Sequence, residues 1–498
     1  MGAREPEDVA RDFEAREQRV EEGGGAARVA RHKRLGRLTA RERLAQLVDD
    51  GSFVELGRHV LHRHASTSEQ LAANRHPGDG VVAGIGEVDG RTVAIYAHDP
   101  TILRGALGHA ASKKVCRLLD LALDRGLPVV TLADSDGVRV EEGIDGIDAY
   151  GEILRRIVRL RGKVPQVTVV FGLCVGAAAY AAALNDFVAM VGEQSYLFIT
   201  GPKVTKVVTG EEVELADLGG AKMHATRTGQ CHAILPDEPA AVDWAKKLLG
   251  FLARDVTPSD PPERRVPELD AIIPQADRRA YDMRKVVRAV FDAESLLELS
   301  PTFAPNLLTV LARLGGKTVA VVASQPMVAA GCLDIDASRK GAAFVAWASN
   351  HGIPVLTLVD VPGYLPGAKQ EQGGILPHGA TLIDAYGSAK VPLVCLVVRK
   401  SFGGASVLSF AADVRLGLPT ARVGSMGADA TLEVVLGPEI EGASDDARRA
   451  RETKRAEWLA AHDHAWGAAE AGYLDRIVMP ADARSALYRA LRSVERRP

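Results

Sequence analysis

The chain repeats itself at long range. Arg91-Thr92-Val93-Ala94-Ile95 returns as Lys317-Thr318-Val319-Ala320-Val321, an offset of 226 residues. At that offset ASKK (111–114) meets ASRK (337–340), and GLPVVTLAD (126–134) meets GIPVLTLVD (352–360). One residue of slippage later, VPQVTVVFG (164–172) pairs with VPLVCLVVR (391–399). So long a period means duplicated domains, because solenoid repeats recur every ~20–50 residues. Each copy alternates β-branched apolar runs with helix-like stretches, which predicts an α/β fold of parallel βαβ units with helices covering the sheet. The Pro- and charge-rich segment DVTPSDPPERRVP sets the expected boundary: domains at 1–253 and 268–498, joined by a linker at 254–267.

Bulk properties exclude several classes. A net charge of −3 offers no excess positive field for nucleic acid. The five cysteines (Cys116, Cys174, Cys231, Cys332, Cys395) form no CxxC pair, against a disulfide framework or zinc ribbon and in favour of a reducing cytoplasm. The start, MGAREPEDVARDFEARE, lacks the apolar core of a signal peptide. Val167–Leu184 (VTVVFGLCVGAAAYAAAL) is an uncharged run of 18 residues, the lower limit for a membrane span. Its first half is β-branched up to Phe171-Gly172 and its second half alanine-rich, so a buried strand, turn and helix are expected instead.

Local signals mark elements. Thr39 and Glu42 form a capping box that opens a helix. Gly78-Asp79-Gly80 precedes a hairpin turn at Asp89-Gly90, not a strand–helix junction, so it is no dinucleotide fingerprint. Residues 444–469 read as a long surface helix leading to GYLDRIVMP (472–480).

The chemistry points to backbone amides. Gly176-Ala177 and Gly404-Ala405 each follow a buried strand and open a helix, whose first-turn amides are unsatisfied and partly positive. Close helix–strand packing also explains small residues there. A second loop in each copy, Asp134-Ser135-Asp136-Gly137-Val138-Arg139 and Asp360-Val361-Pro362-Gly363-Tyr364-Leu365, follows the strand one βα unit earlier. Both loops of a copy emerge on one rim of a parallel sheet, so an amide from each can converge on one oxygen. RKSFGGAS (399–406) has its lysine on the wrong side of the glycines for a P-loop. No GxSxG or HExxH occurs. His224 and His232 read as loop hydrogen-bonders, and Asp134, Asp360, Glu141 and Glu142 as caps or solvated faces.

Over nearly its whole length the chain resembles the carboxyltransferase (β) subunit of biotin-dependent acyl-CoA carboxylases of the propionyl-CoA carboxylase type. The matching stretches include GRLTARERLAQLVDDGSFVEL (36–56), DSDGVRVEEG (134–143), YLFITGPKVTKVVTGE and LGGAKMH (196–224), QPMVAAGCLDIDASRKGAAFV (325–345), LVDVPGYLPG, HGATLIDAYGSAKVP (378–392), RKSFGGA and GYLDRIVMP. The resemblance implies a duplicated crotonase-type (ClpP/crotonase) fold, each domain a parallel-sheet ββα superhelix. It implies transfer of a carboxyl group from carboxybiotin to the α-carbon of an acyl-CoA thioester through an enolate. Gly176, Ala177, Gly137 and Val138 are then expected to hold the enolate oxygen in the first domain, the acyl-CoA side. Gly404, Ala405, Gly363 and Tyr364 are expected to hold the biotin ureido oxygen in the second. Asp136, Arg139, Ser406 and Val407 fall among the expected substrate-binding residues. The resemblance further implies a separate biotin carboxylase/biotin carboxyl carrier (α) subunit, and a homohexamer of three dimers with the site at the dimer interface. No metal is expected in this subunit, and neither nucleic acid nor membrane is an expected partner.

The chain departs from the family pattern around the site. Asp136 replaces a glycine, Ala177 the second of two glycines, Ser406 an aromatic residue, and Pro377-His378 a basic pair. SMGADATLE (425–433) departs from MGAxGA. Two alternatives therefore stand beside the carboxylase: a decarboxylase or transcarboxylase half-reaction on the same fold, and a catalytically altered homologue that assembles or regulates a carboxylase.

Overall fold

The computed structural model describes residues 5–62, 69–73, 75–252, 256–276, 279–427, 430–431, 433–434, 444–462 and 464–495. It divides into two compact units, Met1–Gly250 and Phe251–Pro498.

In the first unit, β1 (Val81–Val88) and β2 (Arg91–His98) form a hairpin closed by Asp89-Gly90, both at positive φ (49° and 70°). Chain reversal through α1 (His109–Arg125) delivers β3 (Val129–Ser135), and α2 (Ile144–Leu160) delivers β4 (Gln166–Val175). After α3 (Ala177–Leu184) comes β5 (Phe187–Val191), and β2, β3, β4 and β5 run parallel. Every residue of β3 is buried, as expected of a strand covered on both faces. Helix α2 turns Ala149, Tyr150, Ile153, Ile157 and Leu160 inward at three- and four-residue spacing, one apolar face against the sheet. Helix α1 ends at Gly126 in the left-handed region (φ 66°), where glycine costs least.

The second unit repeats this order. Hairpin strands β6 (Leu307–Leu314) and β7 (Lys317–Ser324) precede α4 (Ile335–Asn350), β8 (Val355–Val361), α5 (Ile375–Gly387), β9 (Leu393–Phe402) and β10 (Val414–Gly417). Strands β7 to β10 are again parallel, and each unit carries one sheet of eight strands among the described residues. Asp334 caps α4 by accepting from Ala337 N at 2.8 Å.

The Thr39 capping box is present, Glu42 N donating to Thr39 Oγ1 (3.2 Å) and Thr39 N to Glu42 (2.9 Å). The uncharged run at 167–184 is strand, turn and helix, but the strand continues four residues beyond Phe171, to Val175. No helix among the described residues is long and apolar enough to cross a membrane. The expected surface helix is two helices, Asp445–His462 and Ala465–Glu470.

Candidate active site

In the first unit, the turns after β3 and β4 touch. A Cβ on Gly137 (φ 87°) would stand 2.4 Å from Val175 O and 3.4 Å from Ala177 N, so the contact requires glycine. Most amides in these turns are already committed. Asp136 N donates to Arg104 O (3.2 Å), Gly137 N to Ser135 Oγ (3.0 Å) and Gly176 N to Phe198 O (3.1 Å). Leu107 N donates to Gly137 O (2.9 Å) and Arg139 N to Leu107 O (3.0 Å), stitching the β3 turn to the segment before α1. The amides of Val138 and Ala177 have no acceptor among the described residues, and both residues are part-exposed. Of the four residues expected here, Val138 and Ala177 supply the open donors, while Gly137 and Gly176 shape the backbone around them.

The second unit reproduces the stitch: Leu333 N donates to Gly363 O (3.1 Å) and Leu365 N to Leu333 O (2.7 Å), placing Tyr364 where Val138 stands. After β9 it is Gly403 that takes φ 60°, matching Gly176 at φ 59°. Strand pairing agrees, since Val175 faces Phe198 as Phe402 faces Gly424. The structural partner of Gly176-Ala177 is therefore Gly403-Gly404, one residue earlier than the sequence pairing with Gly404-Ala405. Gly404 is exposed and would place a Cβ 3.6 Å from the Tyr364 ring, whereas Ala405 is wholly buried.

Three expected substrate-binding residues do other work within their units. Arg139 is fully buried: Nη1 donates to Asp79 Oδ1 (2.7 Å) and Glu142 Oε1 (2.8 Å), and Nη2 to Asp79 O (3.1 Å) and Ala106 O (3.0 Å). With those donors spent it braces the turn instead of meeting a ligand. Val407 is also fully buried, so its side chain offers no binding surface. The Ser406 hydroxyl accepts from Ser401 Oγ (3.2 Å), turned into a serine cluster that reaches Tyr473 through Ser409 (2.7 Å). Asp136 does sit at the rim, its Oδ2 2.5 Å from Nε of Arg104. Burial raises its carboxyl pKa and Asp134 adds to this, while Arg104 opposes it.

Asp134 and Asp360, expected as caps or solvated faces, are buried ion-pair partners under the turns. Arg43 Nη1 donates to Asp134 Oδ2 (3.0 Å) and clasps Glu238 through Nε and Nη2 (both 2.8 Å). In the second unit Arg399 Nε donates to Asp360 Oδ2 at 2.9 Å. Burial works against the Arg43 charge, and Glu238 and Asp134 more than restore it. Arg399 is thus a counter-ion to Asp360, not a phosphate ligand. Glu142 does cap, accepting from His109 N at 2.8 Å. His224 bonds Leu197 O (2.6 Å) and His232 accepts from Val188 N (3.1 Å), the loop roles expected of them. In the altered SMGADATLE segment, residues 428, 429 and 432 lie outside the described residues.

Sequence reasoning missed Arg43, Arg104 and the buried lysines Lys114 and Lys340. The lysines had a readable signal: each lies three residues after a buried alanine (Ala111, Ala337) and four before a buried apolar residue (Leu118, Phe344), on the inward helix face.

Two copies of a parallel-sheet ββα unit define a duplicated crotonase-type fold. Residues 31–498 match the family model described as the carboxyl transferase domain. The propionyl-CoA carboxylase carboxyltransferase subunit of Haloferax mediterranei is 41% identical over 97% of this chain and 95% of its own. The α subunit of methylmalonyl-CoA decarboxylase from Propionigenium modestum is 39% identical over 97% and 95%. The solved structure of transcarboxylase 12S with methylmalonyl-coenzyme A and methylmalonic acid bound superposes with a TM-score of 0.94 at 38% identity, covering 100% of this chain and 98% of that one. The chain belongs to the carboxyl transferase family, and the expectation of an enzyme of acyl-CoA carboxyl transfer is borne out.

Proposed function

We propose that this chain transfers a carboxyl group between a biotin carried on a separate carrier subunit and the α-carbon of an acyl-CoA. The observation that carries this reading is the pair of open amides, Val138 and Ala177, set side by side by Gly137. They would donate to the thioester oxygen, whose negative charge grows as the α-proton leaves. One such donor is worth roughly 3–4 kcal/mol of transition-state stabilisation, so two can drive enolate formation without a side-chain nucleophile. Carboxybiotin, when brought by that carrier, would supply the CO2 and the base for the α-proton. The turns carrying Gly363, Tyr364, Gly404 and Ala405 offer a matching cradle for the ureido oxygen, with Gly404 and Tyr364 at its surface. Assembly is proposed as a homohexamer of three dimers, the two cradles that serve one reaction coming from different copies.

The test is bicarbonate fixation with a biotin carboxylase/carrier partner across acetyl-, propionyl- and longer acyl-CoAs. Turnover with at least one thioester is expected; none, despite a hexamer and a carboxybiotin supply, overturns the reading. The similarity to a decarboxylase and to a transcarboxylase supports a second reading, the same half-reaction run in reverse, which release of CO2 from an α-carboxyacyl-CoA would reveal.

A further inference from the structure

Arg104 and Asp136 form an ion pair on the turn that carries the Val138 amide, and the duplicated fold supplies an internal control for what it does. Arg104 sits in the left-handed region (φ 52°), and Asp136 N donates to its carbonyl. The second unit has Ala330 (φ 54°) where Arg104 stands and Pro362, which has no N–H to repeat that hydrogen bond, where Asp136 stands; the next glycine, Gly363, takes φ 149° where Gly137 takes 87°. Gly105 and Gly331 press against Asp134 O and Asp360 O in the same way, a Cβ at either falling within 2.2 Å and 2.5 Å of that carbonyl. A turn at this place thus forms in the second unit without a charged pair between the corresponding residues. In the first unit the Asp136 carboxylate, 21% exposed, lies two residues from an amide facing the developing negative charge, where an unpaired anion would repel it. The charged groups facing Asp136 are Arg104 and Asp134, and Asp134 is itself held by Arg43.

We propose that Arg104 is a positioning residue for carboxyl transfer: by pairing with Asp136 it neutralises the turn beside Val138 and Ala177, so that an enolate oxygen can be held there. This rests on the acyl-CoA reading above. Its partner is chemically defined, an acyl-CoA carrying negative charge on the thioester oxygen in the reacting state.

The experiment compares R104M, D136N and R104M/D136N in the full chain, using two CoA analogues, a nitroalkyl-CoA whose nitronate carries an oxygen anion and a neutral dethia ketone. R104M is expected to weaken nitronate binding about tenfold to a hundredfold, to leave the ketone within about twofold, and to lower kcat in step with the nitronate. The R104M deficit should shrink as pH falls toward the raised pKa of Asp136, because protonating the unpaired carboxylate removes the repulsion. The double variant should return close to wild type. Equal nitronate binding by R104M and wild type overturns the proposal, as does a double variant no better than R104M, which would mark the pair as structural. Wild-type chain that binds neither analogue overturns the acyl-CoA reading itself.

Discussion

Lys340 shows how much of this chain's polar interior is built around single side chains. Its ammonium lies within hydrogen-bond reach of Ser300 O (2.8 Å), Phe303 O (2.9 Å), Leu307 O (2.8 Å) and Ala304 O (3.4 Å), tying down a loop in which Ser300 and Ala304 take positive φ. Lys114 does the same at the matching position with Gly78 O (3.1 Å) and Gly57 O (3.4 Å). Lys340→Met should leave those carbonyls without a donor and cost about 3 kcal/mol, read by urea unfolding. Burial pushes the Lys340 pKa down from 10.5 to about 7. Between those values the unfolded chain binds the proton more readily, so this group's contribution to stability rises as pH climbs through the window. The difference between wild type and K340M should follow that rise. The inward side of each helix was readable from spacing. The carbonyl ring was not, because its members come from a loop 33 to 40 residues away.

At the scale of elements, the long repeat was legible because parallel strands buried on both faces spell nearly continuous apolar runs, and two copies of such runs align by eye. The position of the matched turns was legible to within one residue. GGA after β9 and GAA after β4 align in two ways, and the positive φ of Gly403 together with the register of β9 against the strand Arg422–Gly424 decides that Gly403 makes the turn. The pairing of Arg104 with Asp136 was not legible, since it depends on backbone stitches between separate segments. The matched glycines give an element-scale test. Gly105→Ala should push Asp134 O out of place and weaken binding of the nitroalkyl-CoA at least tenfold, leaving decarboxylation of carboxybiotin nearly intact. Gly331→Ala should do the reverse. Measuring the two readouts separately checks the assignment, and equal damage to both by either variant would refute it.

For the whole molecule, the expected assembly is six copies of a 52.9 kDa chain, which sedimentation at micromolar concentration would measure. The two units solve one electrostatic problem differently. Asp360 finds its counter-ion on the neighbouring strand, in Arg399. Asp134 cannot, because the corresponding residue is Gly172, whose Cβ would collide with the Asp134 carboxylate at 2.2 Å. It borrows Arg43 instead, from a helix 91 residues earlier. Losing one partner of a buried pair costs ~3–5 kcal/mol, so Arg43→Ala should destabilise the first unit about as much as Arg399→Ala destabilises the second. Their vulnerabilities nevertheless differ. The second unit keeps its safeguard in the body of the sheet, while the first is hostage to a short lead-in helix. A protease that trims that leading segment past residue 43 would leave Asp134 buried without its counter-ion while every strand of that sheet stays uncut.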